Sequence, residues 1–321
     1  MKHLLTALVV AATATIAPAM AQDYPSKPVT LVVPFAPGGS SDVISRFVGQ
    51  KLSEMWKQSV IIDNKAGGGG QIAMSGVARA APDGYTLILG HIGTLAVNPS
   101  MFEKLSYDYK KEFKPVAMLA VVPSAIAVNP ALPINNVKDL IAYAKANPGK
   151  LNYGSAGNGS AGHLAMEYFK DITKVDAQHV PYKGTGPMLT DLLSGQTQIT
   201  YNGVLSLVPH AKAGKLRVIA VGSPKRLAIL PDAPTIDESG FPGFETSQWY
   251  GVLAPAATPP AIIAKLNADI NKVLAEADIQ KRLADDGAVA GSGSPEAFGS
   301  YIDAEEKRWG AVVKKAGIKP D

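Results

Sequence analysis

The sequence predicts an α/β protein with two lobes joined by two crossing segments. Apolar runs typical of buried strands alternate with segments of helical periodicity, as expected for a mostly parallel sheet with right-handed crossovers. This alternation starts again near residue 125, and an apolar segment near residue 250 leads the chain back to the first lobe. The length of 321 residues also favours two domains over one.

Composition excludes several classes of protein. With 46% hydrophobic and 18% charged residues and a mean hydropathy of +0.08, the chain is an ordinary globular protein rather than a disordered one. The absence of cysteine excludes disulfides, thiol catalysis, Cys-ligated zinc and iron–sulfur clusters. The net charge of +4 is spread over isolated pairs with no basic, aromatic-rich run, so we expect no nucleic-acid partner.

The first 21 residues have the pattern of a secretory signal peptide. A positive start at Lys2 precedes the apolar residues 4–17, and Ala19-Met20-Ala21 matches a cleavage site. The alternative, a transmembrane anchor, needs a longer apolar stretch of about 20 residues. We therefore expect a mature chain of residues 22–321 that is exported to the periplasm.

The first lobe begins with a strand at residues 29–35, whose unbroken apolar run is typical of burial on both faces. After a loop at residues 36–42, apolar side chains recur at helical spacing as far as Trp56. Ser40 or Ser41 is the expected N-cap of this helix. The next predicted elements are a strand at 60–62, a flexible four-glycine loop at 67–70, a helix at 72–80 and a strand at 85–89.

We expect residues 22–124 and 247–321 to form the first lobe and residues 125–246 the second. Two apolar runs that flank Pro123-Ser124 predict the first crossing, and residues 249–254 predict the return. The second lobe is predicted to contain helices at 137–147, 161–170 and 187–194 and strands at 151–154, 178–182, 199–202 and 217–221. Two late helices, 259–276 and 295–316, are expected to pack on the first lobe.

Three loops rich in glycine and serine each precede a helix, at residues 37–42, 155–160 and 184–186. The first amides of a helix lack partners within it, and the helix dipole is positive there, so each loop suits an anion such as a carboxylate. Capping and turn formation alone would explain any single loop. Three of them in two lobes favour a shared anion-binding cleft. Neither a phosphate-binding P-loop nor a dinucleotide fingerprint is present, and we expect no cofactor.

A secreted hydrolase that uses His163 or His91 is the alternative function. The sequence contains no G-x-S-x-G elbow and no H-E-x-x-H pair, which argues against a serine hydrolase and a metal site. His91 follows a predicted strand beside Thr94, where both could make polar contacts in the cleft. Trp249 and Tyr250 fit either hinge packing or an aromatic wall against a ligand.

Six stretches of the mature chain resemble the Bug family of extracytoplasmic solute receptors, the binding components of tripartite tricarboxylate transporters. They are residues 24–28 (YPSKP), 33–39 (VPFAPGG), 80–87 (AAPDGYTL), 152–164 (NYGSAGNGSAGHL), 180–184 (VPYKG) and 249–255 (WYGVLAP). The resemblance implies a periplasmic-binding-protein fold of the type II kind, whose two crossing segments form a hinge. It also implies a monomer that captures a small organic carboxylate, catalyses nothing and passes its ligand to membrane subunits. A sensor that shares the binding step remains an alternative.

In the family, backbone amides and ordered waters grip one ligand carboxylate, with little help from charged side chains. The resemblance and the loops together give these expected ligand-binding residues: Phe35, Pro37, Gly38, Gly39, Ser40, His91 and Thr94 in the first lobe, and Ser155, Ala156, Gly157, Asn158, Gly159, Ser160, Thr185, Gly186 and Asn202 in the second.

Two departures from the family pattern concern the ligand. Asn202 stands where many members have an aspartate, so a ligand that needs a carboxylate for its ammonium group fits less well. Many members have Gly-Thr-His where this chain has Gly93-Thr94-Leu95. Leu95 and Trp249 favour a partly apolar ligand. Citrate-like tricarboxylates, linear dicarboxylates and aromatic carboxylates such as terephthalate all remain open.

Overall fold

The computed structural model describes residues 24–320, so the expected signal peptide lies outside the described residues. The strands are β1 Val29–Val33, β2 Val60–Asn64, β3 Thr86–His91, β4 Phe113–Val128, β5 Asn152–Ser155, β6 Gln178–Pro181, β7 Ile199–Gly203, β8 Arg217–Val221, β9 Ser247–Pro255 and β10 Val289–Ala290. The α-helices are α1 Ser40–Trp56, α2 Gln71–Ala78, α3 Asn98–Met101, α4 Tyr109–Glu112, α5 Val137–Ala146, α6 Ala161–Thr173, α7 Thr185–Ser194, α8 Val204–Lys212, α9 Pro260–Leu274, α10 Ala277–Asp285 and α11 Pro295–Ala316. A 3-10 turn at Gly68–Gly70 and a π-helical turn at Gly93–Val97 complete them.

The strands follow the order β2-β1-β3-β9-β4-β7-β5-β6, with β8 and β10 paired to β4. Within each lobe the outer strands run parallel: β1 with β2 and β3, and β5 with β6 and β7. The two central strands, β4 and β9, run antiparallel to each other. The predicted α/β class with two lobes is confirmed, and the parallel outer strands direct their carboxyl ends toward the cleft between the lobes.

Strand β4 belongs to both lobes. Its first part, from Phe113 to Pro123, pairs with β9, whereas Ser124 to Val128 pair with β7 and β8. The two apolar runs in the sequence are therefore one continuous strand of 16 residues. Proline has no amide to donate to a sheet, and Pro123 lies where β4 exchanges partners. Beside it, the amide of Ser124 donates to Thr246 of the returning chain. Two strands thus form the hinge.

Helices cover the buried strands of both lobes. Val33, Leu89 and Val252 are fully or nearly fully buried in the first lobe, as are Ile126 and Tyr153 in the second. Helices α9 and α11 pack against β4, as expected for the two late helices, and α11 also contacts α6 of the second lobe. The unbroken apolar character of strands such as β1 reflects this cover on both faces. Within residues 24–320, no helix has the length and apolar character that crossing a membrane requires.

The expected N-cap of α1 was wrong. The cap is Gly39, in extended conformation, and Ser40 is already the first helical residue. A second difference is α8, which the sequence reading missed. Residues 204–208 are buried all round, so α8 lacks the polar face that makes a helical period visible, and Pro209 stands inside it. Helix α10 was missed as well, since it follows α9 after only two residues.

Candidate functional site

The starts of three helices meet at a small chamber between the lobes, the inner chamber. They belong to α1 of the first lobe and to α6 and α7 of the second. The chamber has a volume of about 20 Å³, which is room for one water molecule. Its lining consists of Phe35, Ser40, Ser41, His91, Ala156, Ser160, Ala161, Gly162, Thr185, Asn202, Gln248 and Tyr250. None of these side chains carries a formal charge at neutral pH, so the inner chamber is polar and uncharged.

The start of α1 presents free hydrogen-bonding groups to the inner chamber. Its cap, Gly39, supplies no side-chain bond, and the buried Ser40 hydroxyl lies beside the Tyr250 hydroxyl without a well-formed hydrogen bond to it. The nearby Asp42 carboxylate is occupied by the Gly38 amide, at 3.1 Å, and by Arg46, at 2.8 Å. Burial acts to raise the pKa of Asp42, but these partners outweigh it and lower the pKa below its ordinary value. Asp42 is therefore ionised and neutralised by Arg46.

The loop before α6 is shaped by its own hydrogen bonds. The Ser155 hydroxyl accepts from the Gly157 amide at 3.0 Å, and Ser160 caps α6 by accepting from the His163 amide at 3.2 Å. Gly157 has φ +117°, and a Cβ there would lie 2.7 Å from the Tyr182 carbonyl. Only glycine fits this position, which lets the backbone turn Ala156 toward the inner chamber.

At the start of α7, Thr185 belongs to a network that reaches the other lobe. The Asn202 amide donates to the Thr185 hydroxyl at 3.1 Å, and Gln248 of β9 donates to the Asn202 carbonyl oxygen at 3.1 Å. The Tyr250 hydroxyl donates to Gln248. All four side chains are between 3% and 6% exposed. This network forms one wall of the inner chamber.

His91 is a neutral donor at the inner chamber. Burial lowers the pKa of its imidazole from 6.5 to about 4. The Thr94 amide donates to His91 Nδ1 at 3.1 Å, which assigns the remaining proton to Nε2. The ring stacks on Phe35 with centroids 4.6 Å apart and meets the edge of Tyr250. His91 thus offers an N–H group without a positive charge.

A larger outer chamber of about 300 Å³ lies on the other side of Phe35 and Ala156, which line both chambers. Its remaining lining comes from both lobes: Gly67, Gly68, Gly69, Gly70, Phe102, Gly157, Asn158, Pro181, Tyr182, Lys183 and Pro320. Among residues 24–320, Lys183 is the one charged residue that lines either chamber. The outer chamber is therefore roomier than the inner one and carries a cation.

The lobes are in contact, so the structure is a closed form. The Ala36 amide donates to the Lys183 carbonyl across the cleft at 3.1 Å. Beside this bond, a Cβ built on Gly38 would lie 3.4 Å from Gly186 Cα, and one built on Gly186 would lie 2.3 Å from the Pro37 carbonyl oxygen. The backbones of the two lobes meet directly at this seam, which we define as residues 36–39 and 183–186.

The structure separates the expected site residues into three groups. Lining residues are Phe35, Ser40, His91, Ala156, Gly157, Asn158, Ser160, Thr185 and Asn202. Pro37, Gly38, Gly39 and Gly186 lie in the seam. Thr94, Ser155 and Gly159 support neighbours, since Thr94 binds the His91 backbone, Ser155 binds Gly157, and the Gly159 amide donates to His163 at 3.3 Å. Their contacts with a ligand remain predictions.

Sequence reasoning missed Gln248 and the role of Tyr250 in the inner chamber. Alternation along a strand contains the signal, because Gln248 and Tyr250 lie on one face of β9 and Trp249 on the other. Trp249 is fully buried and donates to Glu305 at 2.9 Å, so it is hinge packing. Neither Trp249 nor Leu95 lines a chamber, and the expectation of a partly apolar ligand from these residues loses its basis. The outer chamber's glycines and Phe102 were also missed.

His163 lies behind the site. It is 2% exposed, its Nδ1 accepts from the Gly159 amide, and its ring stacks on His179 at 4.2 Å. It does not line the inner chamber, so it lies away from any group held there. Within residues 24–320, no three His, Asp or Glu side chains are grouped as a metal site would require.

Two hinged lobes that close on an uncharged polar chamber define a solute-binding protein. Comparison with known proteins agrees. The adipate-bound protein Rpa4515 of R. palustris has a TM-score of 0.90 and 42% identity, covering 93% of this chain and 100% of that one. MatC of Rhodopseudomonas palustris, with bound malate, has a TM-score of 0.86 and 35% identity over 90% and 100% of the two chains. The periplasmic binding protein BugD has a TM-score of 0.88 and 35% identity over 93% and 100%.

Residues 44–318 match the model of the tripartite tricarboxylate transporter family receptor. The chain belongs to this family, which includes the Bug proteins and whose members are periplasmic solute receptors. The resemblance found in the sequence is therefore confirmed. Members of the family bind substrates and do not transform them, so the hydrolase alternative is wrong.

Proposed function

We propose that this receptor captures a small organic carboxylate in the cleft between its lobes and delivers it to the membrane subunits of a tripartite tricarboxylate transporter. The convergence of three helix starts on an uncharged chamber is the observation that carries this proposal. Amides at helix starts and neutral donors such as Ser40 and His91 suit a carboxylate. The inner chamber has no charged side chain in its lining, which suits a ligand of small net charge.

The second chamber supports a ligand with two separated polar ends. One carboxylate oxygen would enter the inner chamber, and the rest of the ligand would pass between Phe35 and Ala156 into the outer chamber. Lys183 is placed to attract a second carboxylate there. Relatives with bound adipate and malate support a linear dicarboxylate. Citrate-like and aromatic carboxylates such as terephthalate share the required end group and belong in the same test.

Capture would proceed by closure about β4 and β9. The lobes are in direct contact in the closed form, so the ligand enters an open form and closure buries it. We place the division between lobes at residues 124/125 and 246/247, one residue beyond the point where β4 exchanges partners and beside the bond from Ser124 to Thr246. The same proposal includes cleavage after residue 21, a periplasmic location and action as a monomer.

A thermal-shift panel tests the function. The purified protein is heated with adipate, malate, citrate or terephthalate, and with the matching uncharged amides as controls. A ligand at 100 times its dissociation constant stabilises the folded protein by about 2.7 kcal/mol, which raises the midpoint visibly. We expect a shift with one class of carboxylate and none with its amide. Equal shifts with acid and amide, or none with any acid, would contradict carboxylate capture.

A further inference from the structure

The direction of the hydrogen bonds in the inner chamber can be read from a single backbone group. The Gly203 amide donates to Asn202 Oδ1 at 2.8 Å. A backbone N–H group only donates, so this atom of Asn202 must be the acceptor oxygen. The other end of the Asn202 side chain is then its NH₂ group, which must donate to Thr185 Oγ1. The orientation of this amide is thus fixed by the network.

The same reasoning fixes the rest of the network. Since Asn202 Oδ1 accepts, Gln248 must present its NH₂ group to it, at 3.1 Å. Gln248 then presents its oxygen to Tyr250, whose hydroxyl donates. Hydrogen bonds therefore run in one direction, from Tyr250 through Gln248 and Asn202 to Thr185. Bonds aligned in this way polarise one another in a buried site.

The network ends on a proton that has no acceptor. Thr185 Oγ1 accepts from Asn202 and makes no other hydrogen bond among the described residues. Its own proton is free, and the side chain lines the inner chamber. The Ser40 hydroxyl of the first lobe lines the same chamber and lies beside the Tyr250 hydroxyl, without a well-formed hydrogen bond to it. Two hydroxyl donors from opposite lobes are thus available to one anion.

We propose that Gln248 is a positioning residue for the ligand, a proposal that rests on the carboxylate function above. Gln248 holds the Asn202 amide in the orientation that leaves the Thr185 hydroxyl free to donate to the ligand carboxylate. Because Gln248 lies on the hinge strand β9 and Asn202 on β7 of the second lobe, it also ties this donor to the hinge.

A double-mutant cycle tests the proposal. Calorimetric titration uses the carboxylate among adipate, malate, citrate and terephthalate that binds most tightly. Thr185→Val removes the hydroxyl and is expected to weaken binding about 10- to 150-fold, the range for a lost hydrogen bond to a charged group. Gln248→Met keeps the length but removes both polar atoms, with an expected loss of about tenfold. If Gln248 acts through Thr185, the double variant binds within about threefold of Thr185→Val.

Three controls accompany the cycle. Thr185→Ser retains the hydroxyl and should bind within about threefold of the wild type. Gln196→Met makes the same change at an exposed position and should leave the affinity unchanged. Unfolding midpoints without ligand show that each variant is folded; if Gln248→Met does not fold, Gln248→Leu takes its place.

The outcomes separate this proposal from the function itself. Wild-type affinity in Gln248→Met, or losses that multiply in the double variant, would overturn the positioning role and leave carboxylate binding intact. A wild-type protein that binds none of the four carboxylates would overturn both.

Discussion

The backbone amide of Ala36 donates to the carbonyl of Lys183, and this 3.1 Å bond joins the two lobes without any side chain. Around it half of the seam residues are glycines, so the separation of the two backbones depends on the absence of Cβ atoms at these positions. Closure is therefore sensitive to small additions at the seam that leave each lobe undisturbed.

Gly186→Ala should hold the lobes apart. The new Cβ would lie 2.3 Å from the Pro37 carbonyl oxygen in the closed form, while alanine favours the helix that contains it. Overpacking of this kind costs about 1–3 kcal/mol, which corresponds to roughly a 10- to 100-fold loss of carboxylate affinity. Calorimetry measures the affinity, and small-angle scattering with ligand should show a larger radius of gyration. Gly76→Ala is the control, because a Cβ added at this position in α2 would have no other atom within 4 Å. A Gly186→Ala variant with wild-type affinity and radius of gyration would show that closure does not depend on close contact of the backbones at the seam.

His91 should make stability depend on pH. Its pKa is 6.5 in the unfolded chain and about 4 when buried, so the unfolded state binds more protons between these values. Stability from this group is complete above pH 6.5 and falls by about 3 kcal/mol as the pH drops to 4. Urea unfolding at pH 7 and at pH 4 measures the difference. His91→Gln keeps an N–H donor but does not titrate. Between pH 7 and pH 4 its free energy of unfolding should therefore fall by about 3 kcal/mol less than that of the wild type. Parallel losses in both proteins would contradict the buried neutral imidazole.

Asn202→Asp should weaken the capture of carboxylates. The new carboxylate would lie on the wall of the inner chamber, where two negative charges about 4 Å apart repel by about 4 kcal/mol at an effective dielectric constant of 20. We expect at least a 100-fold loss, on the order of 3 kcal/mol, at pH 7.5. Affinity should recover as the pH falls and the aspartate is protonated. Asn135→Asp adds the same charge at an exposed site of the second lobe and should bind as the wild type. An affinity that is unchanged at pH 7.5 would place the ligand away from Asn202.

Glu305→Ala should destabilise the hinge. One carboxylate oxygen of Glu305 accepts from the indole N–H groups of Trp249 and Trp309, both at 2.9 Å. Removing it leaves two buried donors without partners, which costs about 3 kcal/mol in the free energy of unfolding. Urea denaturation measures this loss. Asp285→Ala removes an exposed carboxylate paired with Lys281 and should change the stability by no more than about 0.5 kcal/mol. Equal effects of the two changes would refute the importance of the indole contacts.

The sequence allowed the fold class and much of the inner chamber to be predicted, because both depend on local patterns. A buried strand followed by glycine, serine and a helix start is visible along the chain. This pattern predicts Phe35, Ser40 and Thr185 as ligand-binding residues, and all three line the inner chamber. The role of Gln248 could not be predicted from the sequence. It depends on Asn202, 46 residues earlier, and on the Gly203 amide that orients the Asn202 side chain. The outer chamber could not be predicted for a similar reason. Residues 67–70 and 181–183, which line it, are far apart in the sequence and meet only in the folded protein.

The pairing of β4 with β9 at the hinge limits how the receptor can move. Two hydrogen-bonded strands bend and twist readily, whereas stretching them or sliding one past the other breaks the ladder of bonds between them. Opening and closing are thus restricted mainly to a rotation, and each return brings the same atoms of the two lobes into register. A ligand therefore shifts the balance between the open and closed forms along a path that the hinge strands define.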